Sequence, residues 1–197
     1  MVNTYKLVNP YIKGEFETKI KTKNSIDAAK KFYKKLSEHF NNNVPKFYFT
    51  IQKGGSGKGK FYHFEVKESK NHEEVNYSIQ PYELEKEDAL KSFIDNFKKF
   101  KGRYNGGAKK RRSKRRSKKR SKRRSSKKSI YDLDDESSSV DFYREAKSYV
   151  PATTQPIYYM YYDPLVYNLD SVYIPTFYAY VTPYIELNTA GGYTYVI

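Results

Sequence analysis

Cysteine and tryptophan are both absent from the 197 residues. Without cysteine there is no disulfide framework, no thiol chemistry and no thiolate metal site, which fits folding in a reducing compartment. No apolar run approaches the ~20 residues that cross a bilayer, so no membrane contact is expected. The opening MVNTYKLVNP lacks the apolar core of a signal peptide. Val2 stands where myristoylation requires glycine. A protein that is not secreted is expected. Acidic residues are missing from 109–129, and lysine and arginine are missing from Ser148 onward.

Those last two gaps divide the chain electrostatically. Residues 1–108 carry 21 basic and 13 acidic side chains, residues 109–129 carry 15 and none, and residues 130–197 carry 2 and 9. The balances +8, +15 and −7 sum to the net +16, so the excess sits in one short tract. The chain is therefore three regions with different electrostatics, each needing its own explanation.

Residues 1–104 read as one small α+β domain of order β-β-α-β-β-β-α. YKLV and EFETKIKT are candidate strands, the second alternating Phe16, Thr18 and Ile20 with charged neighbours. Ser25 is placed to cap a helix with Asp27 in its first turn. Ile26, Ala29, Tyr33, Leu36 and Phe40 then follow at helical spacing, with Lys30, Lys31, Lys34 and Lys35 on the other side. NNNVP ends this helix. KFYFTIQ, the glycine-rich KGGSGKGK and KFYHFEVKE spell a hairpin. VNYSIQPY is a further strand, stopped by Pro81. A second helix from about Glu85 to Phe100 carries Leu90, Phe93, Ile94 and Phe97 on one stripe, with Gly102, Gly106 and Gly107 closing it.

Residues 105–129 read as a disordered Lys/Arg/Ser linker, because fifteen like charges repel and no apolar stripe offers a face to dock. An acidic linker, 130–147, follows. The last segment, 148–197, holds five of the eight prolines. It is too proline-rich for helix, and short extended pieces with turns at Asp163-Pro164, Pro175 and Pro183 are expected. So aromatic a segment should pack on the first domain or on a partner.

Two stretches carry a resemblance: SIDAAKKFYKKLSEHFNNNVPKFYFTI with the following KFYHFEV, and YYDPLVYNLDSVYIPTFYAYVTPYIEL. With a basic linker between them, they are similar to a family of largely uncharacterised proteins of nucleocytoplasmic large DNA viruses, of the giant-virus and algal-virus kind. That resemblance implies a viral, particle-associated protein and supplies no catalytic residues. The first domain also resembles the monomeric chromosomal proteins of methanogenic archaea, through Asp27-Ala28-Ala29-Lys30-Lys31 at the helix start. That likeness would imply DNA bending, although the arginine-rich strand of those proteins is here KFYFTIQK, without arginine.

Gly54, Gly59 and Lys60 match the start of a phosphate-binding P-loop, but Phe61 replaces the required Ser or Thr and opens a strand rather than a helix. A flexible hairpin tip is the better reading. His39, His63 and His72 share no metal-ligand spacing, and no nucleophile–base pair or tuned carboxylate stands out. No enzyme activity, cofactor or metal is expected.

The tract is the strong signal. Lys109, Lys110, Arg111, Arg112, Lys114, Arg115, Arg116, Lys118, Lys119, Arg120, Lys122, Arg123, Arg124, Lys127 and Lys128 form a polycation without a reading helix or zinc finger. Sequence-independent binding of DNA or RNA through the phosphate backbone is the expectation. Localisation, solubility or an acidic protein partner are the competing uses of such a run. Ser113, Ser117, Ser121 and Ser125 recur every four residues and suit a basophilic kinase, whereas Ser138, before Asp141, suits an acidophilic one. Each phosphate would subtract roughly 1.5–2 charges. The chain thus reads as a non-enzymatic viral nucleic-acid-binding protein of the virion and of the infected cell's cytoplasm or nucleus. The alternative is a structural virion protein whose tyrosine-rich tail docks on a capsid or core protein, since tyrosine is favoured at interfaces.

Overall fold

The computed structural model describes residues 2–14, 16–54, 59–71, 74–84, 87–104, 140–145, 157–169, 171–177, 183–189 and 192–196. Among them run β1 (Asn3–Asn9), β2 (Tyr11–Gly14), β3 (Lys19–Thr22), α1 (Ser25–Ser37), β4 (Lys46–Lys53), β5 (Phe61–Asn71), β6 (Glu74–Tyr82) and α2 (Glu87–Tyr104). Then come β7 (Val140–Glu145), β8 (Ile157–Tyr162), a 3-10 turn (Pro164–Tyr167), β9 (Tyr184–Thr189) and β10 (Gly192–Val196). The fold is mixed α+β. One antiparallel sheet has the order β3-β1-β4-β5-β6-β7, and a second has the order β10-β9-β8-β2, with β8 and β9 parallel.

β4 shows why both faces of the large sheet are covered. Side chains alternate across a strand, yet every residue from Phe47 to Gln52 is buried. Phe47 and Phe49 meet Tyr33 of α1 at ring separations of 6.1 and 6.2 Å. On the other face Tyr48 stacks on Tyr167 at 5.2 Å, and Phe61 of the neighbouring β5 meets Phe93 of α2 at 5.9 Å. So α1 lies on one side and α2 on the other, while the C-terminal segment reaches both: Tyr167 packs on the α2 side, and on the α1 side Tyr162 stacks on Phe47 and Phe177 meets Phe40, both at 5.7 Å.

Several expectations need correction. Asn24, not Ser25, caps α1: its side-chain oxygen accepts from the Asp27 amide at 2.7 Å, and Ser25 is the first helical residue. Three strands, not two, precede α1. The additional β2 follows Pro10 and pairs with β8, far along the chain. The expected order β-β-α-β-β-β-α therefore holds only from α1 onward, through β4, β5, β6 and α2. β6 runs through Pro81, which pairs with Phe64. β7 ends its pairing at Ile79, so the missing proline N–H falls on an unpaired edge. α2 continues past Gly102 to Tyr104. Residues 140–145, inside the expected acidic linker, form β7 on β6. The Tyr/Pro-rich segment supplies three strands and packs on the protein's own first domain.

Candidate functional site

The fifteen basic residues from Lys109 to Lys128 and the candidate phosphoserines Ser113, Ser117, Ser121, Ser125 and Ser138 lie outside the described residues. What the structure does place is the point from which the tract departs. α2 ends at Tyr104 with Lys101 and Arg103 in its last turn, where cations favour the helix dipole. The Arg103 guanidinium donates to Glu186 of β9 at 2.7 Å, and the Tyr159 hydroxyl donates to the other oxygen of Glu186 at 2.5 Å. The helix end is therefore fastened to the second sheet just before the polycation begins.

The P-loop-like glycines frame a hairpin neck. The Lys53 amide donates to the Lys60 carbonyl at 2.9 Å, and the Gly54 amide donates to the Thr4 carbonyl at 2.7 Å. Gly54 has a φ of +89°, and a Cβ on Gly59 would sit 1.4 Å from the Lys53 carbonyl oxygen. Both glycines are explained by turn geometry. The chain leaves the turn as strand β5, not as a helix, so a nucleotide phosphate has no helix N-terminus to meet. Of the α1 lysines, Lys30 lies 3.9 Å from Asp27 and Lys35 pairs with Glu17, leaving Lys31 and Lys34 as the exposed ones.

His63 is a structural residue. Its Nδ1 lies 2.7 Å from the Thr50 hydroxyl, which is itself 2.7 Å from the Tyr167 hydroxyl. Burial holds its pKa down to about 4. Asn9 completes this buried network. Its amide nitrogen donates to the Asp163 carbonyl at 2.9 Å and to the Tyr167 hydroxyl at 3.0 Å, while its oxygen accepts from the Asp163 amide at 2.9 Å. The Tyr162 hydroxyl donates to the Tyr48 carbonyl at 3.0 Å. Burial pushes both the Tyr162 and Tyr167 phenols up, so they act as neutral hydrogen-bonding groups. Burial also raises Asp163, against hydrogen bonds from Asn188, Asn96 and the Leu165 backbone. The YYDPLVY motif is thus a latch, joining β1, α2 and β9 around one aspartate.

Beside the latch opens a cleft of about 340 Å³, lined among others by Lys46, Tyr48, Glu65, Tyr82 and Tyr173. Glu65 is its most charged feature. The Tyr48 hydroxyl donates to it at 2.8 Å, Gln80 donates to its second oxygen, and Lys46 and Lys67 lie at 3.1 and 3.3 Å. Burial alone would raise this carboxyl. The hydrogen bonds from Tyr48, Gln80, Lys46 and Lys67 outweigh it and hold the pKa at about 2. The carboxylate is fully ionised and already surrounded by donors, which suits an anchor for three strands and not a proton carrier. Among the described residues no group of three His, Asp or Glu side chains converges on a metal position, and no helix is long and apolar enough to cross a membrane.

Sequence reasoning missed the latch residues Asn9, Thr50, Asp163 and Tyr167. The only local sign was a polar residue inside an apolar strand, as with Thr50 in KFYFTIQ. The NNN run does not end α1, which stops at Ser37 with Glu38 as its C-cap; it holds the C-terminal segment instead. The Asn41 amide nitrogens donate to the Thr176 carbonyl (backbone) at 3.0 Å and to the Phe177 carbonyl (side chain) at 2.9 Å, and Asn42 accepts from the Thr176 amide at 2.7 Å. No protein-family model matches the chain, and no solved structure matches it. The chain is 39% identical over 79 residues to a protein of Acanthamoeba polyphaga mimivirus, "Uncharacterized protein L492". The match covers 40% of this chain and 43% of the mimivirus protein.

Proposed function

We propose that the protein is a non-enzymatic viral protein that binds nucleic acid without sequence specificity through residues 109–128. The observation that carries this reading is the run of 15 lysines and arginines with no acid. Such a run releases condensed counterions on binding phosphates. The similarity to a mimivirus protein supports a viral setting, and association with the particle is part of the proposal. The folded part gives the tract a rigid base, since α2 is bound to both the large sheet and the second sheet before the polycation starts.

Fluorescence anisotropy of the full chain with random duplex DNA and with RNA, from about 50 to 400 mM salt, tests the reading. If roughly half of the tract engages, the log–log slope is about −7, and deletion of 109–128 abolishes most of the binding. Salt-insensitive binding, or none at the lowest salt, overturns it.

A second reading has one specific observation behind it. Of the exposed large apolar side chains, Tyr158, Leu165, Tyr173 and Tyr184 all belong to the C-terminal segment. A structural virion protein docking through these residues on a capsid or core protein predicts a nuclease-insensitive pull-down that is lost when they are changed to serine.

A further inference from the structure

Among the described residues the large sheet carries an uncovered basic shelf on the side where α2 lies. Lys6 of β1 pairs directly with Lys19 of β3, and Thr4 pairs with Lys21. Directly opposed residues share a face, and the intervening pair, Tyr5 and Ile20, is buried toward α1. Lys6, Lys19 and Lys21 therefore project to the opposite side. There Lys101 of α2 lies 4.2 Å from the Phe97 ring, and its pKa is lowered by burial and then by the charge of Lys6. Lys19 and Lys21 are exposed, and Lys6 and Lys101 are half-buried.

Like charges set opposite one another across two strands are destabilising. Elsewhere the described lysines often find acids: Lys35 takes Glu17, Lys46 and Lys67 share Glu65, and Lys91 and Lys98 pair along α2. None of the four shelf lysines makes an ion pair among the described residues. The edge position of β3 leaves the shelf open on its outer side. Lys19 and Lys21, two residues apart, repeat at roughly 6.8 Å along the strand. That is about two base-pair rises along the duplex axis.

The shelf and the tract are neighbours in the chain. Lys101 stands in the last turn of α2, and from Tyr104 to Lys109 the chain can span at most about 18 Å. A polyanion engaged by the first residues of the tract is thereby brought to the shelf.

We propose that Lys6, Lys19, Lys21 and Lys101 form a second, folded contact surface for the phosphate backbone of the duplex that the tract holds. This inference rests on the nucleic-acid reading above and adds a fixed docking face to it. The tract supplies reach and most of the charge, while the shelf orients the folded domain against the duplex.

The test compares three full-length proteins binding random duplex DNA across the same salt range. One is unchanged, one carries Lys6→Gln, Lys19→Gln and Lys21→Gln, and a control of equal charge carries Lys31→Gln, Lys34→Gln and Lys70→Gln on the opposite face. All six are surface positions, and thermal melts establish that each variant folds. The shelf variant is expected to lose about one unit of salt slope per lysine and about tenfold or more in affinity at low salt. The control is expected to stay close to the unchanged protein. Lysine acylation of the unchanged protein, read by mass spectrometry with and without duplex, is expected to show protection at Lys19 and Lys21 and none at Lys31.

Equal losses in shelf and control variants would mean that only net charge matters, and would overturn the shelf. Normal binding by the shelf variant together with loss on deleting the tract overturns the shelf while leaving the nucleic-acid function standing. No binding by the unchanged protein removes both. Shelf-dependent binding to polyglutamate with none to duplex assigns the surface to an acidic protein and overturns the proposal.

Discussion

The Phe100 ring of α2 lies face to face with the Tyr161 ring of β8, with centroids 4.0 Å apart and planes inclined by 8°. This pair ties the helix that precedes the basic tract to a strand that follows it. Phe100 is also in contact with Tyr11 and Tyr159. Phe100→Ala is therefore expected to cost about 3–5 kcal/mol, the range for emptying a packed aromatic site. Urea unfolding followed by fluorescence measures it, and a loss below 1 kcal/mol would mean that the two elements do not pack as described.

Asn9 holds the latch through three hydrogen bonds to Asp163 and Tyr167. Asn9→Ala strands buried donors and acceptors on the C-terminal segment, which costs about 2–4 kcal/mol. Limited proteolysis should then cut within 164–177 well before it cuts in β4 or β5. Unchanged stability would mean that Asn9 does not hold the C-terminal segment.

Acid stability should fall in two steps with separate origins. His63 keeps a pKa of about 4 when folded against an ordinary 6.5, so the unfolded chain takes up a proton first. Stability is lost as the pH drops from about 6.5 to 4, by up to about 3 kcal/mol, and His63→Gln should flatten that step. Glu65 keeps a pKa of about 2 against 4.5. Its contribution is complete above pH 4.5 and is lost as the pH falls through 2. Glu65→Gln should lower stability at neutral pH and flatten the lower step. Denaturant midpoints measured from pH 7 to 2 for the three proteins separate the two.

Gly102 sits inside α2, and a Cβ added there meets nothing within 4 Å. Gly102→Ala should raise stability by roughly 0.5–1 kcal/mol through helix propensity alone. A destabilised variant would show that the helix ends earlier than Tyr104.

Periodic, local features were legible in the sequence. The α1 stripe of Ile26, Ala29, Tyr33 and Leu36 is buried throughout, and Phe40, expected to continue it, is buried beyond the helix end in a bridge to Phe177; the β4–β5 hairpin and the apolar face of α2 read directly from spacing. β2 was not legible: four residues after a proline offer no periodic signal, and their partner strand lies beyond residue 156. The cap was misassigned to Ser25 because Asn24 and Ser25 are both good capping residues, and only geometry separates them. The latch escaped for the same reason as β2, since Asn9 and Asp163 meet only after the chain has closed. The shelf was spread over two strands and a helix, so its lysines looked like ordinary solvated charge one at a time.

Because α2 is fastened near its end by Arg103 to Glu186 and β7 is paired on β6 from Val140, the chain on both sides of residues 105–139 is anchored in the folded body. The segment is thus joined to the folded body at both of its ends and not at one. Its roughly 35 residues extend to at most about 120 Å, so an excursion that must return to the body reaches about 60 Å at most. A single cut within 105–139 would therefore leave both halves covalently attached to the folded body, without removing one charge.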